Sequence, residues 1–313
     1  MGFIPLPFID MRKRKGNFGI LSNFDHFVPG IPDLVILCIW LLLGVLIANV
    51  AALVPTLLLQ NSAISGMDAV MLVSYPLMFI PAMIYASIRS RNNESFEKGY
   101  RLNSSHFAPV GGVLCAVLAI VATLSLNFLA DFFISLLPPM PETLKAALEG
   151  ITQGNFIMNL ICVAVFAPLF EEWLCRGMVL RGLLKHKNRK GKSMHPVWAI
   201  VISAAFFAVI HANPWQAIAA FMLGCLFGYL YWKTGSLYLT MLLHAANNFT
   251  ALVLSNVPAL KNMESWSDVL GSNTFAIVCC ACALITVLCI RQFRKIQPTE
   301  ETGSFDEVPA LFD

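Results

Sequence analysis

Eight apolar stretches, each near the about 20 residues a helix needs to cross a bilayer, divide this chain: 33–57, 67–88, 110–132, 155–175, 196–212, 214–231, 235–255 and 273–290. A segment in lipid must satisfy its backbone hydrogen bonds internally, which leaves a helix for each run. The chain has 58% hydrophobic and 12% charged residues, against about 25% charged in soluble folds. An all-α, polytopic membrane protein with eight transmembrane helices is the fold this predicts. The fifth and sixth runs meet at Ala212-Asn213-Pro214, a turn signal that predicts a tight helical hairpin.

Charge distribution orients the spans. With the N-terminus placed inside, Lys145 and Lys261 are the two basic residues among 21 that fall in outside loops. The positive-inside rule then predicts both termini in the cytoplasm. The organisation expected is a cytoplasmic segment 1–32, helices 1–3 over 33–150, a core of helices 4–7 over 151–255, helix 8 within 256–295, and an acidic tail 296–313 whose composition predicts disorder. The stretch before the basic cluster Arg12 to Lys15 does not read as a signal peptide. Basic residues dispersed between apolar blocks exclude a nucleic-acid partner, and the basic loop 181–192 reads as an anchor at the cytoplasmic surface. Nine cysteines, an odd number and all within apolar runs, argue against a disulfide framework and read as small buried hydrophobes. Gly224 and Gly228 allow close helix approach, within the chain or between copies, so the oligomeric state is left open.

Residues 171–176, Glu-Glu-Trp-Leu-Cys-Arg, follow an apolar run without a break. Two carboxylates and a guanidinium in a segment of hydrocarbon length cost several kcal/mol, which makes a functional site the default reading. Glu172 and Arg176, four apart, form the favourable ion-pair spacing and read as a structural clamp. Glu171 lies about 100° round the helix and is left without a sequence partner, a desolvated carboxylate suited to general-base work. Two later runs each carry a histidine: Phe207 and His211 share a helix face, as do His244 and Asn248. Counted at about 1.5 Å per residue, with the fourth helix continued to Lys185, Glu171, His211 and His244 lie about 21, 22 and 15 Å from the cytoplasmic ends of their helices, compatible with one site near mid-bilayer.

Glu171, Glu172 and Arg176, then Phe207 and His211, then His244 and Asn248, occur in this order in successive apolar spans, and in this the chain resembles the CPBP family of intramembrane proteases. That group includes the type II CAAX prenyl endopeptidases and the bacteriocin self-immunity proteins, and the resemblance covers about residues 155–255. It implies a membrane-embedded endopeptidase in which Glu171 activates water, His211 and His244 hold that water or an intermediate, and Asn248 helps form an oxyanion site. Glu172, Arg176 and Phe207 would be supporting residues. Metal use is unsettled in the family: Glu171, His211 and His244 could hold Zn²⁺, although an Asn fourth ligand is a poor one. A glutamate-activated water is the favoured mechanism over a metalloprotease. The substrate would be a protein or peptide, CAAX-type or another, met at the lipid bilayer of a bacterial plasma membrane. Two rivals remain: a non-catalytic immunity or scaffold protein of the same fold, and an ion-coupled transporter using the acid and histidines as a proton relay. No pair of related halves supports the transporter.

Overall fold

The computed structural model describes residues 19–58, 66–146, 154–187, 191–260, 263 and 265–303. The Arg12 to Lys15 cluster, residues 188–190 of the basic loop, Lys261 and the last ten residues of the acidic tail lie outside them. The protein is an all-α, polytopic membrane protein. Its long helices are α1 (Ile31–Leu58), α2 (Gly66–Asn93), α3 (Gly112–Ile134), α4 (Phe156–Lys185), α6 (Pro214–Thr234), α7 (Leu237–Ser255) and α9 (Ser272–Phe293). Two shorter helices are α5 (Pro196–Ile210) and α8 (Trp266–Leu270).

Seven of the described helices are long and apolar enough to cross a bilayer. The predicted fifth span is present as α5, but its 15 residues rise only about 22 Å, short of the about 30 Å hydrocarbon core. Local chemistry sets both of its ends. His195 caps the start through its Nδ1, which accepts from Val197 N at 3.2 Å, and Pro196 occupies the first turn. After His211, Ala212 turns the chain at φ 50°. Asn213 then caps α6, its side chain accepting from Trp215 N at 3.1 Å, with Pro214 again in the first turn. This is the tight hairpin the sequence predicts.

Helix α4 occupies the middle of the bundle. Half of its most apolar window is buried, against 17% for α1, and it touches α2, α5, α6 and α7. It runs on to Lys185, ten residues past the predicted end of its span, and it is wound as a π-helix over Cys162–Phe166 and again over Trp173–Leu180. The first widening has a legible cause. Ala167 N bonds to Cys162 O, five residues back, and the next bond in that register would need an N–H from Pro168, which has none. Buried Trp173, Leu174, Met178 and Leu180 of α4 form the main core with Ala199, Tyr231 and Leu237. Around it, α1 packs along α2, while α3 packs against α6 and α9.

Gly224 faces Ala204 and Phe207, and Gly228 faces Ile200 and Leu180, so both glycines serve contacts within the chain. None of the nine cysteines is in a disulfide, but Cys280 is exposed on α9 rather than buried.

The acidic tail departs from the sequence expectation. Residues 296–303 are not a loose extension: Ile296 and Thr302 are buried, and Thr302 Oγ1 donates to Trp232 O at 2.8 Å. Glu301 accepts from Arg101 N at 2.7 Å, and Glu300 pairs with Lys98. Composition missed this because the anchoring is tertiary, one apolar side chain and one threonine finding pockets made by distant helices. At the same end of the bundle the buried Arg181 donates to Asp25 O at 3.0 Å and Phe27 O at 3.2 Å, securing the segment before α1.

Candidate active site

Between its two π segments, α4 has one ordinary α-helical stretch, Ala167–Glu172, and its last two residues are the paired acids. Such widenings occur frequently at functional sites. Here they frame the carboxylates. Glu171 is nearly buried and Glu172 wholly so.

The two acids have different partners. Glu172 Oε1 accepts from Arg176 Nη1 at 2.8 Å and from His244 Nδ1 on α7 at 3.0 Å. Arg176 also donates to Gly224 O at 3.0 Å, and its guanidinium lies 4.7 Å from the Phe207 ring centre and 5.4 Å from that of Phe227. A carboxylate, a carbonyl and two aromatic faces offset part of the desolvation of this buried cation, while Arg176 Nε donates and Glu172 Oε2 accepts no hydrogen bond among the described residues. Glu172 is thus more than half of a clamp, because it also orients a histidine.

Glu171 is not left free, as the sequence suggested. Tyr75 on α2 donates its hydroxyl to Glu171 Oε1. The other oxygen, Oε2, is buried, accepts no hydrogen bond among the described residues, and faces His244 Nε2 at 3.8 Å.

Both imidazoles have their protons assigned by their partners. Glu172, paired with Arg176, can only accept, so His244 carries a hydrogen on Nδ1 and turns Nε2 towards Glu171. His211 Nδ1 lies 2.8 Å from Phe207 O, a carbonyl that also can only accept, and its Nε2 is likewise left for other contacts. The Phe207 ring meets both imidazoles edge to face, with centres 4.9 Å from His211 and 5.5 Å from His244. Phe207 is therefore the spacer between the two histidines, and Arg176 stands over it as well.

Asn248, one turn beyond His244, donates from Nδ2 to Val163 O at 2.8 Å, and its Oδ1 accepts from Asn247 at 3.3 Å. Val163 O is the carbonyl that Pro168 leaves without an amide donor in the π register, so Asn248 fills that bond and ties α7 to α4. One Asn248 amide hydrogen is committed there and the second is not.

Glu171, Glu172, Arg176, Phe207, His211, His244 and Asn248 are thus joined through direct contacts or shared neighbours on α4, α5 and α7, with α6 contributing Gly224 and Phe227. Sequence reasoning missed Tyr75, since a lone tyrosine in an apolar run carries no spacing signal. The link from Asn248 to Val163 was also missed, although Pro168 inside the motif-bearing helix was a signal for it. For a metal the donors fit poorly: among the described residues no three His, Cys, Asp or Glu side chains form a group that could hold an ion. Glu171 Oε2 and His244 Nε2 face each other at 3.8 Å, and both are acceptors suited to the hydrogens of one water.

Neither curated proteins nor solved structures gave a match to this chain. A family model did: residues 153–250, which run from the start of α4 into α7 and carry every motif residue above, match type II CAAX prenyl endopeptidase Rce1-like. Over that segment, and on its motif residues, the chain is similar to the Rce1-like type II CAAX prenyl endopeptidases.

Proposed function

We propose that this protein is an intramembrane endopeptidase of the CAAX-processing type, with Glu171 as the base that activates water. The observation that carries the reading is the Glu171 to His244 gap: a buried carboxylate oxygen without a donor, 3.8 Å from an imidazole nitrogen whose ring is fixed from behind by Glu172. A water there gives up one proton to Glu171 Oε2 as its oxygen attacks the scissile carbonyl carbon, and the electron pair of the C=O π bond moves onto the carbonyl oxygen. His244 Nε2, which carries no hydrogen, accepts the water's second hydrogen bond and with His211 positions it, while the second amide hydrogen of Asn248 is donated to that charge. Collapse of the intermediate breaks the C–N bond, and the leaving amine takes the proton back from Glu171, so one water is consumed for each new pair of termini. Glu172 and Arg176 hold His244 and Phe207 in place throughout.

The substrate is a peptide presented at the bilayer, with a prenylated CAAX tail as the class the family match favours. The host membrane is a bacterial plasma membrane, consistent with a compact chain and short loops. Turnover of a quenched fluorescent prenyl-CAAX peptide by the full-length protein in liposomes tests the reading. Wild type should cleave it and Glu171→Gln should not; a fully active Glu171→Gln overturns the mechanism.

A further inference from the structure

Tyr75 is the contact of the site that comes from outside the family-matched segment. It sits on α2, ninety-six positions before the carboxylate it touches. Its ring is held independently of that contact: Tyr75 and Phe79 lie 5.8 Å apart, Phe79 stacks on Phe170 of α4 at 5.3 Å and 13°, and Phe170 packs against Phe166 at 6.1 Å. An aromatic ladder thus fastens this part of α2 to the turns of α4 that lead up to the acids.

Glu171 needs such a fixture. The last torsion of a glutamate is broad and roughly two-fold, so packing of the stem does not by itself set which oxygen faces the reacting water. Arg176, the nearby cation, is engaged by Glu172. Tyr75 supplies the hydrogen bond on Oε1, and Oε2 is left facing His244.

We infer that Tyr75 is a positioning residue for hydrolysis, its hydroxyl holding Glu171 by Oε1 so that Oε2 is the atom that accepts the proton of the attacking water. This rests on the reading of Glu171 as the base. It adds that the N-terminal helices are part of the working site and not only an anchor for residues 153–250.

Tyr75→Phe keeps the ring and its ladder and removes one oxygen. In full-length protein reconstituted in liposomes, with the quenched prenyl-CAAX peptide as probe, kcat should fall about 10–100-fold, the range for losing a group that orients a reacting one. KM should stay within about twofold, because an orienting bond that matters at the reacting water does not bind the peptide. The double variant Tyr75→Phe with Glu171→Gln should be no slower than Glu171→Gln alone. Wild-type kcat in Tyr75→Phe, beside an inactive Glu171→Gln, overturns the inference and leaves the proposed base standing. An active Glu171→Gln, or a wild-type protein inert towards the peptide, counts against the function itself. A fall in kcat matched by a rise in KM and a lowered unfolding midpoint would assign Tyr75 to packing alone and also overturn the inference. Should Tyr75→Phe not fold, Phe79→Ala, which removes the ring that holds Tyr75 in place, must lower kcat at unchanged KM, and wild-type kcat in that folded variant is a refutation.

Discussion

Glu172 Oε1 stands 3.0 Å from His244 Nδ1 while also accepting from Arg176 at 2.8 Å, so one buried oxygen orients an imidazole and neutralises a guanidinium at once. Removing its charge leaves Arg176 buried without compensation, a loss of about 3–5 kcal/mol. Glu172→Gln should therefore lower both the unfolding free energy in micelles and the turnover number, whereas Glu171→Gln should lower turnover with far less effect on unfolding. Parallel denaturation and cleavage assays on the two variants check this.

The histidines should separate in the same way. Losing either one should reduce kcat by about 10²-fold, the cost of misplacing a reacting group by about 1 Å. Stability should fall chiefly in His244→Ala, because His244 is buried and shares the Glu172 bond, while His211 is half-buried and bonds within its own helix. Thermal unfolding beside turnover measures the difference.

Asn248 offers a test of sign. Asn248→Ala strips Val163 O of its donor, at a cost of about 1–3 kcal/mol. Asn248→Asp should be worse, since it sets a carboxylate against that carbonyl. If unfolding ranked Asp as the milder change, the bond from Asn248 to Val163 would not be a structural tie.

The fastening of residues 296–303 should depend on pH. Its hydrogen bond with Lys98 holds the Glu300 carboxyl below its ordinary value of 4.5. A carboxylate with a lowered folded value contributes stability that is full above 4.5 and lost as pH falls through that lowered value. Hydrogen exchange over 296–303 should accelerate in acid below this range, and Glu300→Gln should remove the dependence. The pair is exposed, so added salt should also weaken it.

Gly44 tests the first hairpin. A Cβ there would lie 2.0 Å from Met78 O, a backbone atom of α2 that cannot rotate away. Gly44→Ala should force α1 and α2 apart, at about 1–3 kcal/mol. Because Met78 is one turn from Tyr75, kcat should drop as well, read from the same proteoliposome assay.

Much of this molecule could be read from the chain alone, for reasons that differ by element. Lipid leaves few choices, so long apolar runs became helices, and Ala212-Asn213-Pro214 carried both the stop of α5 and the start of α6. Glu172 and Arg176 were legible because their contact follows from helical spacing. The partners of Glu171 and Asn248 were not, since Tyr75 and Val163 O reach them across helix interfaces that no periodicity encodes. Nor was the π winding of α4, which displaces side chains from the positions that 3.6 residues per turn would give them.

The neighbouring acids answer to different parts of the bundle, Glu171 to the first hairpin and Glu172 to the last helices of the core. Displacing α2 would unlatch Glu171 and leave the Arg176 assembly seated, so a change in the first two helices is felt at one acid and not at its neighbour.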